Sequence, residues 1–412
     1  MKILVYADWF ELGRPHLMGT LSVTHIKGRG VFSFEYNSTW LQSGFAQIMD
    51  PDLQLFSGPQ YLPLGKKNYG LFMDSSPDRW GRLLMDRREA ISAKLEARKT
   101  KNLFEEDYLL GVFDSCRMGA LRFKTEETGP FLNDDAVMAS PPWASLRELE
   151  FASLQLEKDM LPASESLRWI NMLIAPGASL GGARPKASVA DTDNSLWIAK
   201  FPSVEDKVDI GGWEMVVNLL AEKAGLSIPK CKVQKYNSKN HTFLSKRFDR
   251  NSVARIHFAS AMTLLGLQDG DVASYLDLAS VLVRNGLNAQ RDLEELWRRI
   301  VFNICVKNTD DHLRNHGFLL TPGGWILSPA YDINPVYFGS GLALNISETD
   351  NSLDLDLAKS VARLFRVSER RTDEIIGKII AAVKDWRLIA KRLRIPASEQ
   401  DLMASAFELV EG

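Results

Sequence analysis

Hydrophobic residues recur at every second position near the start of the chain and at helical spacing near its end. Within the opening ~60 residues, Val31-Phe32-Ser33-Phe34-Glu35-Tyr36 sets three aromatics on one face at period two, which predicts strands joined by turns. Ser76-Pro77-Asp78 predicts a helix start, with Ser76 as cap and Pro77 in the first turn, leading into Trp80, Leu83 and Leu84 opposite a charged face. From Thr125 to Pro142 the apolar residues thin out. Gly129-Pro130, Asn133-Asp134-Asp135 and Pro141-Pro142 predict a linker there.

Strand-like patterning returns at residues 187–189 and 195–201, across an Asp191-Thr192-Asp193-Asn194 turn, and predicts a hairpin. A helix follows from about Trp213 to Lys223 and stops at Gly225; a further strand pair covers Lys232 to Arg247. From about Ser260 helical periodicity dominates. Ile375, Ile376, Ile379, Ile380, Val383, Trp386 and Ile389 make one apolar stripe whose role is core packing.

Composition narrows the class. With 412 residues, 45% hydrophobic and 25% charged, the chain has room for two or three globular domains. Lys and Arg number 50 against 52 Asp and Glu, a formal charge of −2, so no global attraction to nucleic acid or an anionic membrane is expected. Cys116, Cys231 and Cys305 are scattered, odd in number and without a CxxC pair; neither a disulfide framework nor a zinc knuckle is indicated, and a reducing cytoplasm fits. The apolar start, Met1 to Asp8, is too short for a signal sequence, and no run reaches the ~18 apolar residues of a membrane span.

The chemistry concentrates in Asn308-Thr309-Asp310-Asp311-His312-Leu313-Arg314-Asn315, followed by Gly317-Phe318-Leu319-Leu320 and Ser328-Pro329-Ala330-Tyr331-Asp332. An Asp, four intervening residues, an Asn and a second Asp after a short apolar stretch is the spacing of a kinase catalytic loop and its metal-binding Asp. Phosphoryl transfer needs one carboxylate beside the attacking hydroxyl and hard oxygen ligands facing the nucleotide phosphates. Asp310 takes the first role; Asn315 and Asp332 hold Mg²⁺. A zinc site from Asp310, His312 and His316 would leave Asp332 without a task, so His312 is read as a support of the loop. D-x-x-x-x-N alone is weak, since such residues commonly cap helices and turns.

Its weight comes from a second half upstream. Ser195-Leu196-Trp197-Ile198-Ala199-Lys200 ends a strand with a lysine, as the phosphate-binding lysine of kinases does, and Glu214, fourteen residues on, is a weaker candidate for the carboxylate that orients it. Before that strand, Pro176-Gly177-Ala178-Ser179-Leu180-Gly181-Gly182-Ala183-Arg184-Pro185-Lys186 brings glycines that let backbone N–H groups approach phosphate, with positive charge from Arg184 and Lys186. It is not a Walker A loop, because Ala183 follows Gly182. The same stretch contains a G-x-S-x-G pattern, but a nucleophile elbow needs a strand before the serine and a helix after it, and here Pro185 and a strand follow.

Taken together these segments resemble the HipA family of type II toxin-antitoxin kinases. Residues 179–186 look like its Gly-rich loop, Ile198-Ala199-Lys200-Phe201-Pro202 like its ATP-lysine strand, and Arg247-Phe248-Asp249-Arg250 like its hinge. Leu109-Leu110-Gly111 with Arg117-Met118-Gly119-Ala120-Leu121-Arg122-Phe123 is similar to the end of its N-terminal subdomain. The resemblance spans about residues 1 to 390 and implies an α+β, two-lobed protein-kinase-like fold. Its parts would be an N-terminal β-rich subdomain over 1–125, a kinase N-lobe over 126–250 and a helical C-terminal lobe over 251–412. It implies ATP and Mg²⁺ as cofactors. ATP contacts would come from Lys200, Ser179, Gly181, Gly182, Lys186, Arg247, Phe248 and His312.

The resemblance also implies a HipB-like antitoxin, a small DNA-binding dimer through which DNA is contacted, and autophosphorylation of Ser179. A phosphate there would add close to two negative charges and clash with nucleotide phosphates. The protein substrate would be a translation factor or aminoacyl-tRNA synthetase, and growth arrest the result. Two departures stand out. Arg184-Pro185 replaces a Gln-Glu pair before the lysine, and Thr309 replaces the Arg of His-Arg-Asp kinases, which argues against control through a phosphorylated activation loop. The alternatives are a small-molecule phosphotransferase and a non-catalytic antitoxin-binding co-repressor; the intact Lys200, Asp310, Asn315 and Asp332 argue against the latter.

Overall fold

A computed structural model describes residues 1–135, 141–142, 145–158, 162–174, 182, 184–252 and 254–411. The chain divides into two compact units, Met1–Val204 with Asp249–Gln268, and Glu205–Phe248 with Asp269–Gly412.

The first unit opens with an antiparallel sheet of five strands: β1 (Lys2–Ala7), β2 (His16–Ile26), β3 (Arg29–Tyr36), β4 (Gln60–Tyr61) and β5 (Leu121–Lys124), in the order β4-β3-β2-β1-β5. The period-two pattern sets its buried face, since Phe32, Phe34 and Tyr36 are all inside, with Phe34 and Phe72 rings 5.5 Å apart. Helix α1 (Arg79–Leu95) is capped by Asp78, whose carboxylate accepts from Gly81 N at 2.8 Å. The cap therefore sits two residues beyond Ser76, and Pro77 lies outside the helix. An Asp at this position satisfies an otherwise orphaned N–H and complements the helix dipole. Helix α2 (Glu105–Gly111) follows.

Arg117 closes this subdomain. Fully buried, its guanidinium donates to the carbonyls of Ser75, Leu109, Val112 and Leu132, and desolvation pulls its pKa down to about 9. The stretch read as a linker begins inside this structure. Leu132 pairs with Phe123, and Phe131 packs against Tyr6 and beneath Arg122.

Helices α3 (Leu146–Glu157) and α4 (Ala163–Ile174) come next, with α4 packed on α1, and the hairpin β6 (Lys186–Ala190) and β7 (Leu196–Lys200) forms as the pattern predicts, in register Lys186 to Lys200. Residues 249–268 also belong to this unit. Asp249, fully buried, accepts from Gly119 N at 2.8 Å and pairs with Arg250 at 2.6 Å, and Arg250 in turn donates to Arg117 O. These fastenings hold the start of residues 249–268 within the first unit.

The second unit starts with α5 (Ile210–Ala224), capped by Asp209 and ended by Gly225 in the left-handed conformation that glycine adopts without steric cost. Strands β8 (Cys231–Gln234) and β9 (Thr242–Lys246) pair antiparallel, Cys231 opposite Ser245. Then come α6 (Tyr275–Asn285), α7 (Ala289–Cys305), the hairpin of β10 (Gly317–Thr321) and β11 (Gly324–Leu327), α8 (Leu355–Val361), α9 (Glu369–Val383) and α10 (Trp386–Arg392). The predicted apolar stripe is thus carried by two helices, α9 and α10, and it fills the core. Trp213, Trp386 and Phe407 stack there, the last two at 4.5 Å. Among the described residues no helix is long and apolar enough to cross a membrane.

Candidate active site

In the first unit the β6–β7 hairpin brings Lys186 and Lys200 opposite each other at its end. Their surroundings differ. Lys200 is half-buried, whereas Lys186 is buried, with its ammonium 2.7 Å from Asp78 and 3.2 Å from the carbonyl of Gly182. The Trp80 indole N–H also donates to Lys186 O at 3.2 Å, so the residue is held at both ends. Burial raises the Asp78 carboxyl above its ordinary range, against the opposing pull of the Lys186 ammonium. Lys186, read from sequence as phosphate-directed charge, therefore has an internal partner that sequence gave no local means of finding, since Asp78 lies 108 residues away. Gly182 is exposed with φ +40°; Ser179 and Gly181 lie outside the described residues.

In the second unit α7 delivers the loop that carries the remaining residues. After the left-handed Lys307 (φ 52°), residues 308–316 turn through a short 3-10 segment, Leu313–Asn315, into β10. Asp310 is exposed. Its carboxyl is held above the ordinary range by partial desolvation first and by the like charges of Asp332 and Asp311, with His312 pulling the other way. Asn315 is buried; its amide donates to Asp310 O at 2.9 Å, and its Oδ1 is buried with no hydrogen-bond partner. A buried carbonyl-type oxygen without a donor is costly, and a cation is one way to satisfy it.

Asp332 follows β11 through Ser328-Pro329-Ala330-Tyr331 and has left-handed backbone, φ 57°. Non-glycine residues in that region concentrate at functional sites. Asn334 Nδ2 donates to Asp332 Oδ1 at 3.2 Å. Phe248, half-buried, has its ring 5.5 Å from that of Tyr331, whose hydroxyl donates to Arg314 O at 2.7 Å; Arg247 and Glu214 are buried.

Asp311, beside Asp310, faces inward. Its carboxylate accepts from Asn303 Nδ2 at 2.7 Å and from the Tyr275 hydroxyl, and pairs with His316 Nε2 at 2.8 Å. The sequence reading assigned neither Asp311 nor His316 a task in this cluster. Their signal was the doubled Asp, one exposed and one buried, which only the direction of the loop distinguishes.

The model of the HipA-like C-terminal domain matches residues 178–387, about half the chain and all of the residues just described except Asp78 and Trp80. The chain belongs to the HipA-like family. Its fold is that of the HipA chain in a Shewanella oneidensis complex of HipA, HipB and operator DNA, with TM-score 0.63 over 99% of this chain and 95% of that one, at 17% identity. Two curated relatives are more limited in extent. A Sinorhizobium fredii protein named “Putative kinase Y4dM” is 24% identical over 247 residues, 54% of this chain and 59% of its own length. A Haemophilus influenzae protein with the same kind of name is 25% identical over 179 residues, 38% of this chain and 52% of its own. The HipA-like chain thus spans a little over half the length of the curated relatives it matches.

Proposed function

We propose that the protein transfers the γ-phosphoryl group of ATP to a serine or threonine hydroxyl of a protein. The observation that carries this is the buried Asn315 Oδ1 that lacks a donor, on a side chain whose amide donates to Asp310 O, supported by the like charge of Asp332 acting on the Asp310 carboxyl. Carboxylate and carboxamide oxygens are hard ligands that suit magnesium. Asn315 and Asp332 would hold that ion, which would supply positive charge against the nucleotide phosphates.

Asp310 accepts the proton of the attacking hydroxyl. The hydroxyl oxygen bonds to the γ-phosphorus while the bond to the β–γ bridging oxygen breaks, and ADP leaves with that electron pair. The raised carboxyl of Asp310 is a stronger base than an ordinary carboxylate. Lys200 binds the nucleotide phosphates, Gly181, Gly182 and Ser179 belong to the loop over them, Arg247 and Phe248 form the hinge, and His312 supports the catalytic loop. Lys186 serves the Gly-rich loop from within, through its contacts with Asp78 and Gly182 O.

The partner we propose is a HipB-like antitoxin, a DNA-binding dimer, supported by the HipB and operator DNA present with the Shewanella oneidensis protein. Free of it, the kinase would phosphorylate a translation factor or aminoacyl-tRNA synthetase, arrest growth, and modify its own Ser179. The test is incubation with γ-labelled ATP and Mg²⁺ in a cell extract, with an Asp310→Ala control. Label on protein that depends on Asp310 supports the proposal, and mass spectrometry then locates any phosphate on Ser179. Label confined to small molecules would instead favour a metabolite phosphotransferase, and none at all a non-catalytic co-repressor.

A further inference from the structure

We infer that Asn308 and Asn334 are positioning residues that set the metal-binding carboxylate of Asp332 from a buried hub centred on Asp311. The inference rests on the proposed role of Asp332.

The chain of contacts is continuous and lies within one unit. Asp311 Oδ2 accepts from Asn303 Nδ2 at 2.7 Å; Asn303 Oδ1 accepts from Asn308 Nδ2 at 3.1 Å; Asn308 Oδ1 accepts from Asn334 N at 3.3 Å; Asn334 Nδ2 donates to Asp332 Oδ1 at 3.2 Å. Asn308 is also tied through its backbone, its N–H donating to Asn303 O at 2.9 Å. Asn303, Asn308 and Asp311 are all buried, as are Tyr275 and His316, which hold the Asp311 carboxylate from its other sides.

Two physical points give this chain a task. An asparagine buried by itself costs free energy, whereas Asn303 and Asn308 each donate and accept within the chain, and Asn334 donates at both its contacts, through its backbone N–H to Asn308 and through Nδ2 to Asp332. The chain also ends where definition is needed. Asp332 has left-handed backbone, which is sterically costly for a residue with a side chain, and its carboxylate needs one oxygen held if the other is to face a cation. The amide of Asn334 supplies that hold. Because Asp311 is the neighbour of Asp310, the same hub fixes the peptide that carries the proposed base.

The test uses the full chain with Asn334→Ala, Asn308→Ala, the double variant and Asp332→Ala. Manganese binding in the presence of a non-hydrolysable ATP analogue is followed by electron paramagnetic resonance, and phosphoryl transfer is measured against Mg²⁺ concentration. Loss of such supporting contacts typically weakens metal affinity about 10–100-fold. Asn334→Ala should raise the manganese Kd and the Mg²⁺ half-saturation at least threefold, with kcat at saturating Mg²⁺ and metal-free nucleotide affinity unchanged. The double variant should match the weaker single one rather than multiply the two, because both cut one chain. Asn334 is half-buried, so its variant stays informative even if Asn308→Ala fails to fold. A change below threefold in Asn334→Ala, or multiplied effects in the double variant, overturns the inference if Asp332→Ala still loses the metal. Retained metal binding in Asp332→Ala overturns the proposed role of Asp332 itself.

Discussion

Lys186 and Asp78 form an ion pair of 2.7 Å with side chains only 4% and 7% exposed, joining the end of the Gly-rich segment to the cap of helix α1. Such a pair contributes little net stability, because desolvating both charges offsets their attraction, yet it is expensive to break on one side. Lys186→Met should therefore destabilise the protein by roughly 3–5 kcal/mol, and adding Asp78→Asn should recover part of that loss. Urea unfolding of the three variants checks this; equal stability of Lys186→Met and the parent would show that the pair is unimportant.

Asp310 is exposed. Asp310→Ala should lower phosphoryl transfer by about 10²-fold or more while leaving the unfolding midpoint and nucleotide affinity close to the parent values. Single-turnover kinetics with saturating ATP separates the chemical step from binding. Full turnover in the variant would remove Asp310 from the mechanism.

His257 is buried against Trp9, ring centroids 5.6 Å apart, and burial pulls its pKa down to about 3. A histidine whose folded pKa is depressed keeps its full contribution above its unfolded value near 6.5 and loses it as pH falls toward the folded one. Between pH 7.5 and 5 the loss is about 2 kcal/mol. Denaturant titrations at those two pH values should show the parent losing more stability than His257→Gln, even though the variant starts lower. Parallel losses in the two proteins would mean that His257 is not the titrating group.

Helix α5 runs so close to β9 that a Cβ built on Gly211 would stand 2.2 Å from the carbonyl oxygen of His241. Backbone cannot yield as a side chain tip does, so Gly211→Ala should cost at least about 1–3 kcal/mol although alanine is the better helix former. Thermal unfolding measures it. A stabilised variant would mean that the helix can shift without loss.

Local patterns made much of this legible. The β6–β7 hairpin, the stop of α5 at Gly225 and the aromatic face of β3 each follow from period, turn residues or a left-handed glycine within a few positions. Asp310, Asn315 and Asp332 were singled out in the sequence because the proposed chemistry would fix their spacing. What stayed hidden depends on distant partners. Nothing near Lys186 announces Asp78, and nothing near Asp332 announces that Asn308 reaches it through Asn334. The short β10–β11 hairpin was also absorbed into a helical region, although Pro322-Gly323-Gly324 carried a turn signal.

The left-handed turn at Asp332 has a last consequence, for how this family could change under selection. At φ 57° a glycine would relax the main chain by about 1 kcal/mol, so pressure for heat resistance alone pulls that position toward the residue that cannot bind a metal. A descendant that had kept its shape and given up its chemistry would be sought first by looking for glycine there.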